Sequence, residues 1–215
     1  TPILSAPFAS TKFSSSGTVN SAVISPDGKY AAFIDGSGGG QSLWLRQLDS
    51  GENIQIVPSS PDHYLGLTFT NDGTSIYFSR RAPDAHQSPA VYRVAAFGGI
   101  PVKVADGALN WIGLSPDDKQ VSFVRCRFRP DDNCSLYVAN ADGTGERRLF
   151  SQPAPSIIES NRFSPDGRFI AATSKPARSG SDDGKSPCWM LAATASSFSY
   201  CFLSSISRRC QQLSN

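Results

Sequence analysis

Two histidines and a single methionine serve the whole 215-residue chain. So little histidine leaves most catalytic schemes without their commonest general base and most metal sites without their commonest ligand. Both, His63 and His86, fall in stretches that read as loops. The chain has no Gly-x-Ser-x-Gly nucleophile elbow, no His-Glu-x-x-His pair and no Cys-x-x-Cys pair. The lysine strand, catalytic loop and Asp-Phe-Gly segment of a protein kinase are also missing. These absences lead to the expectation of a non-enzymatic chain with no cofactor and no metal.

Excess charge is lacking too. Twenty Lys and Arg face 18 Asp and Glu, a formal net charge of +2, which argues against a dedicated nucleic-acid surface. No stretch sustains the 3.6-residue periodicity of an amphipathic helix. Residues 186–207 carry no charge, but their Ser and small residues make them too polar for a membrane span. The opening residues show neither an initiating Met nor the basic start and apolar centre of a signal peptide. Residues 1–17 read as a linker or an edge strand.

What the chain does have is a phrase that recurs. It reads Ser25-Pro26-Asp27-Gly28, then Thr70-Asn71-Asp72-Gly73, Ser115-Pro116-Asp117-Asp118 and Ser164-Pro165-Asp166-Gly167. The aspartates at 27, 72, 117 and 166 are 45, 45 and 49 residues apart, a period that marks a repeat architecture. Short β-prone runs flank each copy, such as Ala22-Val23-Ile24 and Tyr30-Ala31-Ala32-Phe33-Ile34. Pro presets φ at the first corner, Asp favours the second, and Gly accepts the positive φ that returns the chain as a hairpin. Asp118 stands where the other copies have Gly, and Asp tolerates that region at modest cost.

A second pair of strands follows each hairpin. Ser42–Arg46, Ala90–Val94 and Ser135–Ala139 alternate with period two, and each is followed by a turn and an outer strand at 54–57, 101–104 and 147–150. Four strands per unit of about 45 residues is the anatomy of a β-propeller blade. A β-sandwich also shows many short strands. Three successive units that repeat in both halves favour an all-β propeller of four-stranded antiparallel blades.

The phrase Ser25-Pro26-Asp27-Gly28-Lys29-Tyr30, followed by Ser42-Leu43-Trp44 and then Ser50-Gly51, resembles the WD-repeat-like repeat of the TolB family. Residues 18–174 carry the resemblance. Ile24–Tyr30, Gln41–Gln47, Ile54–Pro58 and Asn140–Leu149 are similar to the C-terminal sensory propellers of bacterial signalling proteins. There, such a propeller follows a serine/threonine kinase or a winged-helix domain. The resemblance implies a binding module for a protein, a peptide or a cell-envelope component. It leaves two other roles: a TolB-like periplasmic scaffold, or the propeller that gates a prolyl-oligopeptidase-type peptidase. A periplasmic or other extracytoplasmic location is favoured over the cytoplasm.

The expected boundaries are blade 1 at 18–57, blade 2 at 58–105, blade 3 at 106–150 and the first half of blade 4 at 151–174. About four blades are visible, fewer than most propellers need to close a ring, so a partial propeller and a piece of a longer protein are expected. Residues 175–215 leave the repeat. They read as a degenerate half-blade, or as a non-native tail of the kind a shifted reading frame produces. Ser204 to Asn215 match nothing in the earlier units.

Five cysteines is an odd number. Cys126 and Cys134 bracket a loop at a hairpin base, where they form either a disulfide suited to an oxidising compartment or two reduced thiols. The repeated aspartates are of the residue type that binds calcium, but they are spread one per blade and a calcium site needs convergent ligands. Turn formation explains them better. Within a blade, the first–second and third–fourth strand turns share one end and are short. The second–third loops and the inter-blade links Pro58 to His63 and Ser151 to Ser156 share the other, which is long and varied. Binding residues favour such loops on a rigid scaffold. The candidate contacts at this long-loop end are His63, Tyr64, Arg81, His86, Arg127, Phe128 and Arg129.

Overall fold

The computed structural model describes residues 17–84, 87–109, 112–126, 133–153, 156–175, 189–194, 200–203 and 208–211. They form four antiparallel sheets in chain order. Sheet one holds β1 (Val19–Ile24), β2 (Tyr30–Asp35), β3 (Gln41–Gln47) and β4 (Asn53–Ser60). Sheet two holds β5 (His63–Phe69), β6 (Ser75–Arg81), β7 (Ala90–Ala95) and β8 (Val102–Asp106). Sheet three holds β9 (Ile112–Leu114), β10 (Gln120–Cys126), β11 (Asn133–Asn140) and β12 (Arg147–Pro153). Sheet four holds β13 (Ile157–Phe163), β14 (Phe169–Lys175), β15 (Trp189–Thr194), β16 (Tyr200–Leu203) and β17 (Arg208–Gln211). Each sheet is a meander in which neighbours in sequence are neighbours in space.

Every sheet opens on the repeated phrase, and its chemistry is local. Ser25 Oγ donates to Asp27 Oδ1 at 2.6 Å and accepts the Tyr30 N–H at 3.0 Å. Asp27 Oδ1 also accepts the Lys29 N–H at 3.1 Å, and the Gly28 N–H closes the turn on the Ser25 carbonyl at 2.9 Å. The same bonds recur at Ser115–Asp117 and Ser164–Asp166, with Thr70 in the serine role before Asp72. The fourth residue takes positive φ in every copy: 71° at Gly28, 72° at Gly73, 56° at Asp118 and 71° at Gly167.

The sheets face one another through three apolar layers. Ile34, Leu43 and Leu45 of sheet one meet Tyr64, Ile76 and Phe78 of sheet two. Tyr77, Val91 and Val104 of sheet two meet Val121, Phe123 and Ala139 of sheet three. Val124, Leu136 and Leu149 of sheet three meet Ile158, Phe163 and Ile170 of sheet four. The four central positions of β6 and of β10 are all buried, so both faces of these strands are covered. A two-layer sandwich covers one face of each sheet; blades stacked around an axis cover both. Fully burying an aromatic such as Phe78 or Phe123 contributes roughly 1.5–3 kcal/mol of transfer free energy.

Polar bonds bridge the same junctions. The Tyr64 N–H donates to Gln41 Oε1 at 2.6 Å, Tyr77 Oη donates to the Ala141 carbonyl at 2.8 Å, and Ser122 Oγ bonds Asn161 Oδ1.

Strand ends differ from the sequence reading. β4 continues to Ser60, β12 to Pro153 and β6 to Arg81, while β5 begins at His63. Of the expected links, Pro58 to Ser60 and His63 are therefore strand, as are residues 151–153. His63, read as a loop residue, opens an inner strand. These segments pair through their backbones whatever their side chains, and their polar composition hid this. In the tail, β15 and β16 extend sheet four, and β17, which has no counterpart in the other sheets, pairs with β16. Among the described residues, no helix is long and apolar enough to cross a membrane.

Candidate functional site

The strand polarity gives the molecule two ends. At the long-loop end, the β5–β6 ladder sets His63 directly opposite Arg81 and Tyr64 opposite Arg80. His63 and Arg81 are exposed. Arg80 pairs with Asp62 at 3.2 Å, and its guanidinium lies 4.5 Å from the Tyr92 ring centre. Tyr64 was a candidate contact, and the structure corrects this. The strand alternates, so a residue beside exposed His63 points inward, and Tyr64 is 8% exposed within the layer between sheets one and two. Burial raises its phenol pKa. His86, Arg127, Phe128 and Arg129 lie outside the described residues.

Between sheets two and three the same end opens a cleft of about 480 Å³, lined among others by Ser88, Asp106, Arg125, Ser135, Tyr137 and Arg148. Arg125 is its fixed point. Its Nε donates to the Asp106 carbonyl at 2.6 Å and its two terminal nitrogens fork onto the Glu146 carboxylate. The guanidinium stacks on Tyr137 at 4.6 Å. The bond to Glu146 raises the Arg125 pKa further, so its charge is permanent. Cys126 and Cys134 face each other across the β10–β11 ladder, their Cα atoms 4.0 Å apart, and are joined by a disulfide. It ties the ends of β10 and β11 together, and Cys126 lines this cleft. Cys134 Sγ also accepts the Ile158 N–H at 3.2 Å, which links the bridge to sheet four.

At the short-turn end a second cleft, of about 370 Å³, lies between sheets one and two. Pro26, Asp27, Lys29, Tyr30, Leu45, Phe69, Asp72 and Phe97 are among its lining residues. The Phe97 ring meets Tyr30 edge-on at 5.2 Å. The sequence reading did not single out this end. A signal was available: of the third–fourth strand turns in the first three blades, Asp49–Glu52, Phe97–Ile100 and Asp142–Gly145, only the second is apolar at its tip.

Comparison with solved structures places the fold. TolB from Acinetobacter baumannii superposes with a TM-score of 0.64 at 19% identity, over 86% of this chain and 43% of that one. A putative TolB from Agrobacterium tumefaciens gives 0.58 at 20% identity, over 86% of this chain and 69% of that one. A prolyl endopeptidase structure gives 0.63 at 12% identity, over 88% of this chain and 30% of that one. No family model and no curated protein matches the sequence. At these identities the likeness speaks for the fold: the chain is a partial β-propeller of TolB-like architecture. It spans less than half of the Acinetobacter protein.

Proposed function

We propose that the chain is a non-catalytic binding module, the sensory propeller part of a bacterial signalling protein that works outside the cytoplasm. Its ligand is a protein, a peptide or a cell-envelope component, met at the long-loop end. The observation that carries this reading is the cleft around Arg125. A permanent cation is held by Glu146 and the Asp106 carbonyl, lies over the Tyr137 ring, and sits beside the Cys126–Cys134 disulfide. Pre-set polar groups on a rigid sheet lower the entropic cost of recognition. The disulfide supports an oxidising compartment, and the TolB-like fold supports a binding role.

The test is selection of a displayed random peptide library, together with pull-down on purified peptidoglycan. Ligand binding that falls about tenfold or more in Arg148→Ser or Arg81→Ser variants, but persists in a Phe97→Ser/Ile100→Ser variant, supports the long-loop site. Peptide hydrolysis by the purified chain overturns the non-catalytic reading. Reading the gene on both sides separates the wider roles. An in-frame kinase or winged-helix domain supports signalling, and an in-frame α/β-hydrolase domain supports a peptidase gate. A signal sequence without either supports a periplasmic scaffold.

A further inference from the structure

The exposed large apolar side chains of the described residues are not scattered. They are Ile24, Leu48, Ile54, Phe97, Ile100, Val102 and Phe169, and each lies at or beside a short turn. None lies at the long-loop end among the described residues. Six of the seven belong to sheets one and two, whose short turns border the cleft between them. Leu48 follows the β3 strand and bonds the Lys29 carbonyl through its N–H at 2.8 Å, and Ile54 pairs with the cleft residue Leu45. Phe97 lines the cleft itself, and Ile100 and Val102 continue from the same turn.

The turn does not need these side chains. Gly98 and Gly99 supply its positive φ, at 105° and 142°, and the Gly98 N–H closes on the Ala95 carbonyl at 3.0 Å. The equivalent turns of blades 1 and 3 do the same work with Asp, Ser, Thr and Gly. Phe97 is nevertheless 61% exposed and Ile100 89% exposed. Single exposed apolar residues are ordinary, but a cluster with an aromatic at the lip of a cleft marks a protein-contact surface.

Charge decides what kind of partner fits. Around this patch stand Asp27, Asp72, Asp49 and Glu52 against Lys29 and Arg46, while Lys103 beside Val102 is held by Asp106 at 3.0 Å. Lys29 lies 3.9 Å from Asp27, so those two charges offset each other and Asp72, Asp49 and Glu52 supply the negative excess. The corner hydrogen bonds keep Asp27 and Asp72 ionised well below neutral pH. A second copy of this face would bring carboxylates against carboxylates, which disfavours self-association here. We infer that the cleft between sheets one and two at the short-turn end docks a segment of another protein that carries an aliphatic or aromatic anchor flanked by Lys or Arg. The anchor enters beside Phe97 and Tyr30, and the flanking cations meet the aspartate rim. This surface is at the opposite end from the long-loop site and does not depend on it.

The experiment is selection of a displayed random dodecapeptide library on the intact chain, with synthetic copies of the enriched peptides measured by fluorescence anisotropy. The expected enriched set has net positive charge around an apolar anchor. It binds a Phe97→Ser/Ile100→Ser variant at least about tenfold more weakly, and its affinity falls with rising salt. Both substitutions are at exposed positions, and a thermal melt matching the parent confirms folding. An Arg148→Ser variant keeps full binding of these peptides. Among peptides that the Arg148→Ser variant still binds, the inference is overturned by sequences that are acidic or indifferent to charge, by equal binding to the Phe97→Ser/Ile100→Ser variant, or by no enrichment. Sedimentation that shows a dimer of the parent, abolished by the same variant, also overturns it, because the occupant is then a second copy.

Discussion

Asn71 donates to Asp118 twice, through its backbone N–H and through its side-chain amide, each at 2.8 Å. These two residues are the places where the repeated phrase departs from Pro and from Gly. At the other junctions the Pro of one corner lies against the Gly of the next. A Cβ on Gly73 would stand 3.7 Å from Pro26 Cδ, and one on Gly167 would stand 3.3 Å from Pro116 Cδ. At the middle junction a hydrogen-bonded pair replaces that contact, and Asp118 also accepts the Asp72 N–H at 3.0 Å. The two departures are one substitution made in two places.

Their coupling is measurable. Asn71→Pro removes both donors and leaves Asp118 at positive φ with less to hold it. We expect a loss of about 1–2 kcal/mol. Asp118→Gly loses the bonds but relieves about 1 kcal/mol of backbone strain. The double change restores the Pro–Gly contact of the other junctions and should cost less than the two singles together by about 1 kcal/mol. Urea melts of the four proteins give the coupling, and strict additivity would show that the corners do not communicate.

The corner carboxylates make stability depend on acid. Asp27, Asp117 and Asp166 are held below the ordinary carboxylate pKa first by the hydroxyls of Ser25, Ser115 and Ser164. For Asp72 the first cause is the Thr74 N–H, and for Asp142 it is the Thr144 hydroxyl. A depressed folded pKa gives stability that is whole above the unfolded value, ~3.9, and is lost as pH falls through the folded value. The urea midpoint should therefore hold from neutral pH into the mildly acidic range, then decline steadily below it. These groups are exposed, so each makes a small contribution. Ser115→Ala should lower the neutral-pH plateau slightly and make the acid decline shallower, because Asp117 returns toward its unfolded pKa; an unchanged acid profile would remove the hydroxyl from the account.

Reduction should loosen the junction between blades 3 and 4. The bridge from Cys126 to Cys134 closes a loop with a sequence separation of 8, worth about 2–3 kcal/mol in the loop-entropy account. Cys134 also bonds Ile158 across the junction. Dithiothreitol, or a Cys126→Ser/Cys134→Ser variant, should lower the urea midpoint. It should also raise hydrogen exchange in β13 more than in β1. Equal exchange in both strands would confine the bridge to its own hairpin.

The blades could be read from the sequence because each corner encodes itself. Ser, Asp and Gly satisfy one another within six residues, and the apolar flanks alternate on the strand period. What joins the corners could not be read, because Asn71 and Asp118 are 47 residues apart and each looks like decay of the repeat. Strand ends were misjudged where polar residues such as His63 and Ser60 pair by backbone alone. Tyr64 looks available in the sequence because it directly follows the expected link Pro58 to His63. The apolar tip at Phe97 was visible in the letters, but only a comparison of equivalent turns shows it to be out of place.

Gly113 gives the sharpest test of how closely the blades pack. It sits in the short inner strand β9, opposite Ser122 in the ladder. A Cβ there would stand 2.5 Å from Ser122 Oγ and 2.7 Å from Asn161 Oδ1. Both side chains are buried, and the hydrogen bond between them ties blade 3 to blade 4. Gly113→Ala must therefore push that pair apart inside the core. Overpacking and the strained buried bond together should cost about 2–4 kcal/mol. Ser122→Ala in the same chain removes the closer obstacle and should recover part of the loss, although Asn161 stays near. A urea melt compares the three variants. Gly113→Ala as stable as the parent would mean that the blades stand further apart than these contacts require.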